Sequence, residues 1–112
     1  MLFRSAIDNS GVLLTGRCEA FLWGVTDLKL VIDRLLAYSD AGADCLYAPG
    51  LKTKDDIAAV VKAVAPKPFN LLIGASGLSL AEARDIGVRR ISVSGSLARS
   101  AWGGFKIGRA HV

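Results

Sequence analysis

The chain alternates short β-rich runs with helical stretches four times, and this repetition limits the folds that it can adopt. The β-rich runs cover residues 12–17, 44–48, 69–73 and 90–94. They are mostly continuous apolar stretches, which are typical of parallel strands buried on both faces. Alternation of strands and helices with short loops predicts parallel pairing through right-handed crossovers. We therefore expect an α/β chain with four parallel strands.

Helical periodicity and stop signals fill the intervals between these runs. The predicted helices comprise one that ends at Ala41-Gly42 and others over Thr53 to Pro66, Ser79 to Gly87 and Ser96 to Trp102. Ser79 and Glu82 have the spacing of a capping box, in which each side chain satisfies a free amide of the other. Beyond Gly103-Gly104 the periodicity is lost. The chain is thus divided into a leader (1–10), four strand–helix units (11–104) and an irregular tail (105–112).

Two architectures fit this pattern equally well. The runs begin at positions 12, 44, 69 and 90, a spacing near the roughly 30 residues of one unit in a (β/α)₈ barrel. Four units would make half of such a barrel. A small open sheet of the flavodoxin type is built from the same units, and the pattern alone does not separate the two.

Composition excludes several classes of function. The formal charge of +4 arises from 14 basic and 10 acidic residues, but the basic residues are scattered, which argues against a nucleic-acid partner. No apolar window has the roughly 18 residues of a membrane span, and the N-terminus lacks a signal-peptide pattern. Cys18 and Cys45 are expected to be reduced, buried thiols. These features predict a cytoplasmic protein without a membrane partner.

Three stretches of the chain carry a family resemblance. They are LTGRCEAFL at 14–22, RL-AY--AGAD followed by LYAPG within 34–50, and GVRRISVSGSLAR at 87–99. In this order and at these distances they resemble the isocitrate lyase/phosphoenolpyruvate mutase superfamily, closest to its lyase and oxaloacetate decarboxylase-like members. The resemblance covers residues 11–104 and corresponds to the last four units of the family's (β/α)₈ barrel. It therefore favours the C-terminal half of a barrel over the flavodoxin-like sheet.

The resemblance implies an activity and a cofactor. Members bind Mg²⁺ and 2-oxo or 2-hydroxy carboxylates, and they cleave or rearrange C–C or P–C bonds through an enolate-like intermediate. The Mg²⁺ ligands implied by the resemblance lie on earlier strands, which this chain does not contain. We therefore expect part of a C–C lyase or decarboxylase, inactive or weak as this chain alone. The alternative is a non-catalytic, oligomerising half-barrel that binds an anionic metabolite.

Arg17 and Glu19 are the candidate catalytic residues. Barrel active sites lie at the carboxyl ends of strands, and these two residues lie at the end of the first predicted strand. A guanidinium can bind a carboxylate through two parallel hydrogen bonds and offset charge that develops on an enolate; the resemblance assigns that contact to Arg17. Glu19 is expected to orient Arg17, or to support a metal through water. A structural salt bridge at the barrel rim is the alternative for Arg17.

Tyr47 ends the second run, in the segment Tyr47-Ala48-Pro49-Gly50. Its hydroxyl could donate a hydrogen bond to a ligand, although a half-buried strand tyrosine is the preferred interpretation. The mutase branch of the family has a histidine near Pro49, and lyases often have an acid in this region. This sequence has neither, which argues against phosphonopyruvate rearrangement and weakens the case for isocitrate cleavage.

Two glycine- and serine-rich loops follow the last two runs. Their candidate anion-binding residues are Gly74, Ser76, Gly77, Ser94, Gly95 and Ser96. Such loops, with free N–H groups at a helix start, commonly bind phosphate or carboxylate in barrels. Ordinary turn chemistry explains the same residues equally well.

Other conspicuous residues receive structural interpretations. Asn70 lies near the start of its run and is expected to be structural, and His111 lies in the predicted tail. Trp23 and Trp102 are expected to fill the layer between helices. A half-barrel would expose two sheet edges, so we expect a homo-oligomer or association with a missing N-terminal half.

Overall fold

The computed structural model describes residues 2–74 and 76–110. Its elements are, in chain order, α1 (Leu2–Ala6), β1 (Thr15–Arg17), a 3₁₀ helix (Ala20–Trp23), α2 (Leu28–Asp40), β2 (Cys45–Tyr47), α3 (Lys54–Val64), β3 (Phe69–Leu72), α4 (Leu80–Asp85), β4 (Arg90–Ser92) and α5 (Ser96–Ala110). Each predicted run thus contains a strand, shorter than the run itself. Within the described ranges, no helix is long and apolar enough to cross a membrane.

The four strands form one parallel sheet in the order β1-β2-β3-β4. When strands that are consecutive in sequence are also neighbours in the sheet, and every crossover has the same handedness, the connecting helices all lie on one face of the sheet. A flavodoxin-like sheet instead reverses its strand order and carries helices on both faces. The observed order confirms the prediction of four parallel units from a barrel.

The hydrophobic core lies between one face of the sheet and the helices. From the strands, the side chains of Leu46, Phe69 and Leu71 are buried in it. The helices contribute Val31, Leu35, Ile57, Val60, Val64 and Ala83. Helix α2 approaches β1 so closely that a Cβ on Gly16 would lie 2.8 Å from the Cβ of Tyr38. Glycine at this position therefore sets the distance between sheet and helix.

The opposite face of the sheet corrects the expectation that the strands are buried on both faces. Arg17, Tyr47, Asn70 and Arg90 are aligned across the four strands by their pairing register. Arg17 and Arg90 are exposed. Four strands curve only part of the way around a barrel, so the inner face is open at its two edge strands. On the two central strands this face also has buried residues, namely Cys45 on β2 and Asn70 on β3.

Helix capping follows the sequence prediction. The Thr53 hydroxyl accepts a hydrogen bond from the Asp56 amide at 3.1 Å, which starts α3. At α4, Ser79 and Glu82 form both halves of the predicted capping box. These side chains satisfy amides that the first helical turn leaves without intrahelical partners.

The predicted end of the fourth helix at Trp102 and the irregular tail after Gly104 were wrong for residues 105–110. Helix α5 continues through both glycines to Ala110. Glycine costs a helix about 1 kcal/mol relative to alanine but does not end it unless the chain also turns. The spacing of Leu97, Ala101 and Phe105 at every fourth position continues the helical pattern across the glycines. His111 lies outside the described residues.

Both tryptophans correct the expectation that they fill a layer between helices. Trp23 is 80% exposed and Trp102 is 63% exposed. Trp23 lies on the 3₁₀ helix beside Glu19, at the end of the sheet rather than between helices. Trp102 lies on α5, which has no buried residue. Its indole contacts Phe105 edge to face, with ring centroids 5.7 Å apart.

Candidate functional site

Arg17 is held at the carboxyl end of β1 by contacts on two sides. Its Nε donates a hydrogen bond to Glu19 Oε1 at 2.8 Å, and its Cζ lies 5.0 Å from the centre of the Tyr47 ring. The ends of β1 and β2 are joined by a hydrogen bond that the Cys18 amide donates to the Tyr47 carbonyl at 2.9 Å. Arg17, Glu19 and Tyr47, proposed separately from sequence, therefore form one cluster.

The terminal amino groups of Arg17 are free for a ligand. Among the described residues, only its Nε donates a hydrogen bond, and the side chain is 46% exposed. The two terminal nitrogens are the fork that binds a carboxylate through parallel hydrogen bonds. An exposed ion pair adds little to stability by itself, so the pairing with Glu19 matters chiefly for where the fork points.

Glu19 is held by a second contact. Its Oε2 accepts a hydrogen bond from Trp23 Nε1 at 3.4 Å, so both carboxylate oxygens are engaged. The 3₁₀ helix that carries Trp23 packs against Gly50, where an added Cβ would lie 2.7 Å from the Phe21 Cβ. The Tyr47–Gly50 segment thus positions the helix, and the helix positions Trp23 at Glu19. This geometry suits an orienting role for Glu19, which remains a prediction.

A cavity of about 270 Å³ opens on the inner face of the sheet next to this cluster. Its lining residues are Thr15, Arg17, Tyr47, Asn70, Arg90 and Ser92. Arg90 Nη1 donates a hydrogen bond to Thr15 Oγ1 at 2.9 Å, which links the two edge strands across the sheet. In the described part of the chain, Arg90 forms no ion pair within 4.0 Å. The cavity is therefore positively charged.

Sequence reasoning missed four residues of this cavity: Thr15, Asn70, Arg90 and Ser92. The alternation of side chains along a strand could have found one of them, Thr15, which precedes Arg17 by two positions and so shares its face. Arg90 and Ser92 share a face with each other in the same way, but their alignment with Arg17 follows only from the pairing of the strands.

A second cavity of about 210 Å³ lies where β3 and β4 end. Gly74, Ser94 and Ser96, predicted from the loop sequences, line it together with Leu72, Ile73 and Arg99. Arg99 Nη2 donates to Ser96 Oγ at 3.1 Å, and a Cβ on Gly95 would lie 3.0 Å from Arg99 Nη1. The two predicted loops thus meet at the guanidinium of Arg99, a residue that was not predicted to belong to the site.

Ser76 and Gly77, also proposed as anion-binding, do not line this second cavity. The Ser76 hydroxyl accepts a hydrogen bond from the Leu78 amide at 3.4 Å. Gly77 has a φ of 69°, a left-handed conformation that glycine adopts without steric cost. For these two residues the geometry matches the turn-chemistry alternative.

The residues present do not fit a magnesium site. Mg²⁺ in proteins is generally bound through carboxylates together with substrate oxygens and waters. Within residues 2–74 and 76–110, no group of three or more potential ligands occurs. Glu19 is the acid near the strand ends, and Arg17 and Trp23 occupy its oxygens.

Four parallel strands in sequential order, each followed by a helix, define part of a (β/α) barrel. Residues 2–111 match the family described as phosphoenolpyruvate phosphomutase. The chain therefore belongs to the phosphoenolpyruvate mutase/isocitrate lyase superfamily, as the sequence motifs predicted.

Individual relatives extend well beyond the length of this chain. An uncharacterized protein of Mycobacterium tuberculosis is 34% identical over 94 residues, which cover 83% of this chain and 35% of the relative. A crystal structure of a candidate lyase/mutase from Burkholderia cenocepacia matches with a TM-score of 0.81 and 52% identity, over 87% of this chain and 35% of that one.

A phosphonopyruvate hydrolase crystallised with oxalate and Mg²⁺ matches with a TM-score of 0.81 and 26% identity, over 96% of this chain and 39% of that one. The chain thus spans little more than a third of each of these proteins.

Proposed function

We propose that this chain is the carboxylate-binding part of a lyase or decarboxylase that acts on small 2-oxo or 2-hydroxy acids. The observation that carries the proposal is the Arg17 fork, oriented by Glu19 and Tyr47 and open to the inner cavity. A guanidinium in this position can bind the substrate carboxylate and stabilise negative charge that grows on an enolate. The binding of oxalate to the related phosphonopyruvate hydrolase supports a small carboxylate as ligand.

Cleavage of a C–C bond is preferred over rearrangement of a P–C bond. The sequence lacks the histidine that the mutase branch carries near Pro49, and its single histidine, His111, lies far from the strands in sequence. Magnesium dependence is implied by the family and by the Mg²⁺ bound to phosphonopyruvate hydrolase. Because the described residues do not fit that ion, no catalytic step of this chain is assigned to it, and we expect weak or no turnover by the chain alone.

The test is the formation of pyruvate from oxaloacetate, with Mg²⁺ present and the protein-free rate subtracted. We expect a small rate for the wild type, and the loss of that rate in Arg17→Ala. Arg34→Ala, which removes an exposed arginine on α2, is the matched control and should retain the wild-type rate. Equal rates in the wild type and Arg17→Ala would remove Arg17 from the reaction.

A second candidate function is a non-catalytic module that binds an anionic metabolite. The second cavity favours it, because Arg99, Ser96 and the start of α5 converge there beside Gly74. The partial positive charge of a helix N-terminus adds to that of the guanidinium at this point. Raised thermal stability with phosphate or oxalate in the absence of Mg²⁺, combined with no turnover, would support this function. Indifference to both anions would exclude it.

A further inference from the structure

The acceptor oxygen of Asn70 has no partner. The residue is 3% exposed, and its Nδ2 donates a hydrogen bond to Ser92 Oγ at 2.9 Å. Its Oδ1 is the one buried side-chain nitrogen or oxygen in the described ranges that lacks a hydrogen-bond partner. An unpaired acceptor removed from water costs free energy, and such atoms are rare in folded proteins. A hydrogen-bond donor from outside the described chain, either a water molecule or a ligand, would satisfy it.

The location of Asn70 indicates what that group would be. Asn70 lines the same cavity as Arg17 and Arg90, and its register neighbours on β2 and β4 are Tyr47 and Arg90. The arginines favour a ligand with carboxylates. An ionised carboxylate only accepts hydrogen bonds, as does a keto oxygen, so neither can satisfy Oδ1. A hydroxyl carried by the same ligand can.

We propose that Asn70 is a specificity-determining residue, whose Oδ1 accepts a hydrogen bond from the hydroxyl of a bound hydroxycarboxylate. The inference rests on the proposed function, because it assumes that the cavity binds a carboxylate at Arg17. It goes further by selecting acids that carry a hydroxyl over acids of the same length that lack it. A site with a buried polar group discriminates against a ligand that leaves that group unpaired.

The test compares ligands that differ by one hydroxyl. Succinate and the two enantiomers of malate are titrated by calorimetry into the wild type, Asn70→Leu and Arg17→Ala. We expect the wild type to bind the preferred enantiomer of malate about tenfold more tightly than succinate. This is the gain in affinity that one additional hydrogen bond produces. Asn70→Leu should bind malate and succinate equally, and Arg17→Ala should bind both more weakly.

The outcomes separate this inference from the proposed function. Equal wild-type affinities for malate and succinate, with both weakened in Arg17→Ala, would overturn the role of Asn70 alone; a buried water would then be its partner. Unchanged affinities in Arg17→Ala, or no binding of any of these ligands, would overturn the proposed function and the inference with it. Equal wild-type affinities overturn the role of Asn70 even where Asn70→Leu does not fold.

Discussion

At the scale of single residues, Asp44 is the clearest example of a charge that the fold depends on. Its Oδ2 accepts hydrogen bonds from the Leu14 amide at 2.8 Å and from Arg4 Nη1 at 2.5 Å. The Leu14 amide first, and then the Arg4 side chain, lower the pKa of Asp44 below its ordinary value. The carboxylate thereby ties both α1 and the segment before β1 to the start of β2.

We expect Asp44→Asn to lower the melting temperature at neutral pH. The pKa of Asp44 is lower in the folded chain than in the unfolded chain, where it is about 3.9. The carboxylate therefore stabilises the fold at pH values above about 3.9, and this stabilisation is lost as the pH falls through the pKa of the folded chain. The difference in melting temperature between wild type and variant should therefore be constant from pH 7 to 5 and shrink below about pH 4. Thermal melts followed by circular dichroism check this, with Asp8→Asn as control. A difference independent of pH would exclude the charge as its cause.

The sequence was sufficient to place two candidate residues side by side where a local motif fixes their positions, and their catalytic roles stay predictions. The contact between Arg17 and Glu19 is local in the chain, so the strand-end motif was sufficient to place the two together. Asn70 and Arg90 are identified as cavity residues only by their neighbours on other strands, which the register of the sheet determines. A single sequence contains no direct record of that register, and the inner cavity was therefore missed.

At the scale of elements, the distance between β1 and α2 is set by the absence of a side chain at Gly16. An added Cβ would lie 2.8 Å from the Tyr38 Cβ and 3.2 Å from that of Ala43. We expect Gly16→Ala to reduce the free energy of unfolding by about 1–3 kcal/mol, the usual cost of overpacking a core. Chemical denaturation measures the change.

Gly103→Ala is the matched control for that substitution. Nothing lies within 4 Å of a Cβ added at Gly103, and the residue is inside α5, where alanine is a better helix former by about 1 kcal/mol. Helix content should rise in this variant and stability should not fall. Equal destabilisation by both substitutions would contradict the packing explanation for Gly16.

Element boundaries were predicted well where capping chemistry exists. Thr53, Ser79 and Glu82 mark helix starts through side-chain bonds to free amides, which are local interactions readable from sequence. The end of α5 has no such local signal, and Gly103-Gly104 was wrongly interpreted as a stop. Glycine ends a helix when the chain turns there, which depends on what surrounds it.

At the scale of the whole molecule, the chain is more extended than a compact domain of its size. Its radius of gyration is 16.6 Å, against about 13 Å expected for such a domain. Helix α5 has no buried residue, and its large apolar side chains are more than half exposed, namely Leu97, Trp102, Phe105 and Ile107. Exposed apolar surfaces of this kind favour association.

We therefore retain the prediction that the chain self-associates, with a dimer expected at micromolar concentration by light scattering. Trp102→Glu places a charge in the middle of the apolar face of α5 and should shift the population to monomer. Leu80→Glu, at a position 65% exposed on α4, should leave the mass unchanged. A wild-type monomer at this concentration would contradict the prediction.

The sequence predicted the architecture of the molecule more fully than its site. Four repeats and three motifs were sufficient for the parallel sheet and its barrel family, because strand–helix alternation permits few topologies. The cavity on the inner face was not predicted, because it is lined by side chains from all four strands and forms only when these strands pair.

The central claim is that Arg17 binds a small carboxylate. Calorimetric titration with oxalate tests it most directly, in the presence of a chelator so that binding through a metal ion does not contribute. The wild type should bind saturably, with Arg34→Ala equal to it. Arg17→Ala should bind about 10- to 100-fold more weakly, as expected when a hydrogen-bonded charge pair is lost. Equal affinity for oxalate in Arg17→Ala and the wild type would contradict the account.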